Sequence, residues 1–184
     1  MRRIALFGVA AAVVAGLSLG PVWRVLYPLP FAPVVRAAAA RYDMSPFLVA
    51  AVIRAESKGR PDAVSGRGAI GLMQVMPATG AWAAAHMGLG GFTPAALRRP
   101  AVNVAIGTWY LSGLVSHYHG NLSLALAAYN GGEQTVDDWL RSGAFTGSAG
   151  SHDEIPFPQT RDFVRTVLAS YAVYRHLYAP ATGG

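Results

Sequence analysis

Apolar residues recur along this chain at intervals of three and four, and short polar, proline- or glycine-bearing segments separate the runs. The pattern predicts an all-α chain with helices over residues 34–42, 46–57, 77–87, 101–118, 122–129, 133–141 and 159–178. Ser45 is placed to cap the second of these, and Pro46 suits its first position because the missing N–H has no partner there anyway. Leu48, Val49, Val52, Ile53 and Glu56 then share one face, so a carboxyl group follows the apolar stripe into the last turn before Gly59 and Pro61 stop the helix. The third helix carries Trp82 inside it and halts at Gly88; Thr93-Pro94 caps a short turn through Leu97. In 101–118, Val102, Ile106, Trp109, Tyr110 and Leu114 form one broad apolar face. Residues 122–129, LSLALAAY, are apolar all round and are expected to be buried, with Asn121 as cap. Val136, Trp139 and Leu140 point inward from the next helix. Phe163, Val164, Val167, Leu168, Tyr171 and Tyr174 make the stripe of the last.

The N-terminus breaks this pattern. Met1-Arg2-Arg3 precedes about twenty uncharged, mostly apolar residues, which reads as a signal or membrane-anchor segment over residues 1–23. No clear small-residue cleavage site follows, which favours an uncleaved anchor with its arginines cytoplasmic and the rest outside. Residues 24–33 hold three prolines and are expected to be an extended connector. Residues 34–178 form one domain, and 179–184 a frayed tail.

Composition narrows the partners. The chain has 184 residues, no cysteine, a net charge of +6 and a single lysine, Lys58. No arginine-rich run with interleaved aromatics is present, which argues against nucleic acid; anionic lipid or an anionic wall polymer suits a basic exported protein better. His117 and His119 lie two apart and point to different sides of a helix, so no metal site is expected, and no cofactor is called for. Nothing in the sequence calls for an oligomer, and a monomer is expected.

The candidate chemistry lies between residues 56 and 74. A glutamate near a helix C-terminus is ordinarily solvated or paired. Here the apolar face and the negative end of the helix dipole both disfavour its ionised form, so a raised pKa is expected, as a general acid requires. Gly66, Gly68 and Gly71 let backbone approach a ligand, and Gln74 offers both an amide donor and an acceptor. An ordinary turn with a structural glutamine is the alternative. At the end of the buried helix, Tyr129 and Asn130 deliver a phenol and an amide; a core tyrosine and a left-handed cap explain them equally well.

The stretch AESKGRPDAVSGRGAIGLMQVMPATG, followed by Ala128-Tyr129-Asn130-Gly131, resembles the lytic transglycosylases with an SLT domain, peptidoglycan-cleaving enzymes of the lysozyme-like superfamily. The resemblance covers residues 30–178 and implies a lysozyme-like helical domain. It implies Glu56 as acid/base, and Ser65, Gly71, Leu72, Met73 and Gln74 as cleft-lining residues. Tyr129 and Asn130 are implied to orient the acid or the glycan, and Tyr171 to supply a late cleft tyrosine, although its spacing also fits a core residue. Where the family reads Glu-Thr-Arg-x-Tyr, this chain has Gln159-Thr160-Arg161-Asp162-Phe163, with no charge at 159 and no hydroxyl at 163.

Only three glutamates exist, at 56, 133 and 154, and no motif marks a second catalytic carboxylate; Asp62 reads as a surface turn residue. That suits the single-carboxylate reaction the resemblance implies: cleavage between N-acetylmuramic acid and N-acetylglucosamine, with closure of the C6 hydroxyl onto C1 to give a 1,6-anhydro end. A goose-type-lysozyme-like hydrolase of the same bond, and a non-catalytic wall-binding scaffold, are the competing readings. The implied place of action is the outer face of the membrane, or the periplasm and wall.

Overall fold

Pro46 starts a helix whose side chains Leu48 through Ile53 are all buried, more than a one-sided stripe would bury, because Ala50 and Ala51 let neighbours close in on the other face. This is α3 (Pro46–Ser57) in a computed structural model that describes residues 20–148 and 151–180. The other helices are α1 (Gly20–Leu26), α2 (Ala32–Arg41), α4 (Pro77–His86), α5 (Pro100–His117), α6 (Leu122–Gly131), α7 (Glu133–Ser142) and α8 (Pro158–Tyr178). Two 3-10 turns, Pro94–Arg98 and Ser151–Glu154, complete the regular structure, and among the described residues β pairing is limited to the isolated bridges Val64–Ile70 and Ile70–Val75. The all-α expectation holds, with helix ends within about two residues of the sequence reading.

Five helices close into a circuit. The most extensive packing is α3 on α8; α8 also packs on α6, α6 on α5, α5 on α2, and α2 back on α3. The expectation that 122–129 is buried holds: Leu124 to Ala128 are inside. Asn121 caps that helix as expected, accepting the Leu124 N–H on its side chain at 3.2 Å. Ser45 occupies the cap position of α3, yet its hydroxyl makes no capping bond, and the helix ends on Lys58 in left-handed geometry rather than on Gly59.

The segment between α3 and α4 plugs one end of the circuit. Leu72 and Met73 are fully buried, and three helices hold them. Ser57 Oγ of α3 donates to the Leu72 carbonyl at 2.8 Å, Asn103 of α5 accepts the Met73 N–H at 2.7 Å, and Tyr129 of α6 donates to the Met73 carbonyl at 2.8 Å. Gly107 of α5 makes room for Met73: a Cβ there would meet the Met73 sulfur at 2.6 Å.

One sequence expectation changes. Residues 24–33 are not a free extended connector. Helix α1 runs through Leu26, and the turn after it is fastened down by Tyr178 to the Tyr27 carbonyl, Tyr174 to the Pro28 carbonyl and Arg54 to the Leu26 carbonyl. The segment after α7 packs against the start of α6. Phe145 buries itself, and Asn121 at the start of α6 donates to the Gly147 carbonyl, which draws the loop to the opposite end of that helix from Tyr129. The anchor expectation covers residues 1–23, of which 1–19 lie outside the described ones and 20–23 belong to α1; among the described residues no helix is long and apolar enough to cross a membrane.

Candidate active site

The last turn of α3 and the last turn of α6 face a cavity of about 480 Å³ lined by Glu56, Ser65, Arg67, Gln74, Tyr129, Asn130 and Gln159, among others. Glu56 is the acid among these, and no other carboxylate of the described residues lines the cavity. Burial pushes its pKa up from 4.5 to about 7, and no hydrogen bond to its carboxyl contributes. Asp62 is exposed, as expected of a turn residue.

Around the acid, polar groups are tied down on one side and open on the other. Gln74 has a positive φ of 47° and donates its amide nitrogen to the carbonyls of Gly71 and Ala63 at 2.9 and 3.2 Å. Its side-chain oxygen takes no bond from the described residues and is left for a ligand. Ser65 Oγ accepts the Ala69 N–H at 3.0 Å, which closes the Gly66–Gly68 turn and leaves its own proton to donate. Asn130 accepts the Thr160 hydroxyl at 3.0 Å on its side-chain oxygen, so its amide N–H groups remain available. The Tyr129 proton is committed to Met73, so toward the cavity its oxygen offers lone pairs. Burial first, and then the nearby Glu56 carboxylate, hold that phenol well above the usual tyrosine range.

The residues expected from sequence therefore divide. Glu56, Ser65, Gln74, Tyr129 and Asn130 meet in one cavity. Gly71, Leu72 and Met73 do not reach it: they are buried and act through backbone groups that hold Tyr129 and Ser57. Gly71 takes φ 83° with Asn103 so close that a Cβ would lie 2.3 Å from its side-chain nitrogen. Tyr171 lines none of the cavities joined to the acid; it packs on the core with the Arg175 guanidinium 5.7 Å from its ring. Gln159, in the departing motif, lines the cavity without a charge, and Phe163 stacks parallel on Tyr129 at 6.5 Å where a hydroxyl was absent. Arg67 and Met76 were missed; both lie beside singled-out residues, but nothing in their spacing marked them. Asn103, in the first turn of α5, supports the loop from below. It is fully buried and fixes the loop through its Nδ2 to the Ile70 and Leu97 carbonyls at 2.8 and 2.9 Å, besides Met73.

His117 stands beside two carboxylates. Among the described residues, its ring and the carboxylates of Glu133 and Asp137 bring ligand atoms within 4.8 Å of one another. Each ring nitrogen already faces a carboxylate, at 3.7 and 3.6 Å, and Tyr118 donates to Asp137 at 3.0 Å, so the groups are paired without an ion.

Residues 33–149 match the Transglycosylase SLT domain family. The chain is 38% identical over 136 residues to the soluble lytic murein transglycosylase of Salmonella typhimurium, covering 73% of this chain and 21% of that protein. Among solved structures, an inactive mutant of the lytic transglycosylase Slt from Pseudomonas aeruginosa superposes with a TM-score of 0.78 at 32% identity, over 85% of this chain and 26% of that one. The 70 kDa soluble lytic transglycosylase from Escherichia coli gives 0.77 at 31% identity, over 85% and 26%. This chain thus spans about a fifth of the length of the Salmonella relative.

Proposed function

The chain belongs to the transglycosylase SLT-domain family, and from that premise we propose that it cleaves the MurNAc–GlcNAc β-1,4 bond of peptidoglycan with Glu56 as the single acid/base. The observation that carries this reading is a carboxyl group with its pKa raised to about 7 by burial, in a cavity that no second carboxylate among the described residues lines. A two-carboxylate glycosidase would hold a partner acid about 5–10 Å away. The relatives' own names, soluble lytic murein transglycosylase, agree with this substrate.

Protonated Glu56 donates to the glycosidic oxygen as the C1–O bond breaks. The substrate's own N-acetyl carbonyl stabilises the positive charge at C1. Glu56, now a carboxylate, takes the proton of the C6 hydroxyl, and that oxygen bonds to C1 to close the 1,6-anhydro ring. The acid is thereby restored without water. Gln74 and Asn130 present an acceptor and donors to the sugar, and Tyr129, held by its bond to Met73, orients the acid or the glycan. Action on peptidoglycan places the domain on the wall-facing side of the membrane, anchored through residues 1–23 or released into the periplasm.

Digestion of purified sacculi followed by mass spectrometry of the products tests the reading. Anhydromuramyl ends are expected. Reducing ends without them would instead make this a hydrolase of the same bond, and no soluble product would leave a wall-binding protein.

A further inference from the structure

The cavity at Glu56 does not end at Tyr129. It shares Gln74, Met76, Tyr129 and Asn130 with a second cavity of about 260 Å³ that reaches Thr79 and Tyr110. A third, sharing Thr79 and Tyr110, reaches Trp82 and Glu133. A fourth, of about 370 Å³, runs between Trp82, Trp109 and His117. These form one groove leading away from the acid.

Aromatic rings follow it. Tyr129 and Tyr110 lie 5.7 Å apart between centroids, Tyr110 and Trp82 6.3 Å, and Trp82 and Trp109 5.2 Å. Trp82 was read as an inward residue, yet it is 49% exposed. The buried positions of α4 are Gly80, Ala83 and Ala84, so the core does not require an indole at 82. A half-exposed tryptophan braced by a second one, at the end of a groove that begins at an acid, is placed to meet a ligand.

We propose that Trp82 and Trp109, with Tyr110, form a saccharide-stacking platform that holds sugar rings of the glycan strand remote from the scissile bond. This rests on the glycan-cleaving reading above. The apolar C–H face of a pyranose packs on an indole as other flat groups do. The hydroxyl of Thr79 and the carboxylate of Glu133, on the same walls, suit the sugar's hydroxyl rim. Charge favours sugar over stem peptide at this end. Glu133 and Asp137 stand here, with His117 between them, whereas the cation of the groove, Arg67, stands beside Glu56. Acidic peptide stems are drawn to Arg67, and neutral rings occupy the platform.

The test is binding rather than turnover. The full chain carrying Glu56→Gln is titrated with GlcNAc trimers and hexamers, read by calorimetry and tryptophan fluorescence. Trp82→Ala in that background is expected to weaken hexamer binding about 3–10-fold more than trimer binding. Trp82→Phe, which keeps a ring, is expected to recover most of the loss, and Trp109→Ala to act in the same direction. Equal loss for both lengths, or none, overturns the platform. So does a loss that appears only with glycan strands bearing stem peptides, which would make the groove end a peptide site. Failure of the parent protein to cleave sacculi would sink the catalytic reading and leave these binding ratios standing on their own.

Discussion

Glu56 holds its proton to about pH 7 in the folded protein, against 4.5 for an unperturbed side chain, and the cause is burial. Two consequences follow at this one residue. The first is kinetic: the acid must be protonated to donate, so kcat/KM for glycan cleavage is expected to fall above about pH 7, and Glu56→Gln to lose at least about 100-fold in rate. A pH–rate profile on purified sacculi, and the variant's rate beside it, check both. The second concerns stability. Because the folded state binds the proton more tightly than the unfolded chain, folding takes up a proton between pH 4.5 and about 7. The contribution of this group is full below that window and lost as the pH rises through it. Glutamine imitates the neutral acid at every pH. Glu56→Gln is therefore expected to stabilise the protein by about 1–3 kcal/mol at pH 8, the shift being discounted for partial exposure, and to leave it nearly unchanged at pH 4. Denaturant melts at both values measure this; an equal effect at the two would mean the side chain is not desolvated.

At the scale of elements, the helix pattern was legible because each helix has a run of apolar residues long enough to show its period. The plug between α3 and α4 was not. Its role depends on contacts across about thirty residues of sequence, such as Met73 to Asn103, that no local periodicity records. Gly71, Leu72 and Met73 sit next to Gln74 in a motif, so they were grouped with it, yet only Gln74 faces the cavity. The turn they form buries Gly71, Leu72 and Met73, while Gln74, at φ 47°, swings toward the cavity. Asn103 shows why the plug stays in place. It makes three hydrogen bonds from a fully buried amide, so its loss leaves several backbone groups without partners. Asn103→Leu is expected to cost about 2–4 kcal/mol, read from the urea midpoint, and to lower activity at temperatures where the fold survives. Full activity with an unchanged midpoint would remove the plug from the account of the site.

The whole molecule closes through its N-terminal turn. Arg54 lies on the same helix as Glu56; it donates to the Leu26 carbonyl at 2.9 Å and lays its guanidinium 3.9 Å over the Tyr27 ring. Tyr174 and Tyr178 reach the same turn from α8, and Arg24 returns a bond to the Leu177 carbonyl. The helix that carries the acid, the helix that packs most extensively on it and the entry of the chain are thus fastened at one point, at the start of the closed circuit. Sequence reading treated residues 24–33 as a spacer because prolines and few charges resemble one; the hydrogen bonds that fix it come from Arg54, 28 positions away, and from Tyr174 and Tyr178, 146 and 151 positions away, beyond any local signal. If this turn is structural, a chain beginning at residue 31 must be less stable than one beginning at residue 20, since it uncovers the Tyr174 ring and strands its hydroxyl. Arg54→Ala in the longer chain should reproduce part of that loss, about 1–3 kcal/mol, through the cation–π contact and the charged hydrogen bond. The two changes touch the same turn, so their effects should fall short of additive when combined. Urea melts of the four combinations provide the cycle. Full additivity would mean that Arg54 and the N-terminal turn support the fold independently, and that the turn is the spacer its composition suggests.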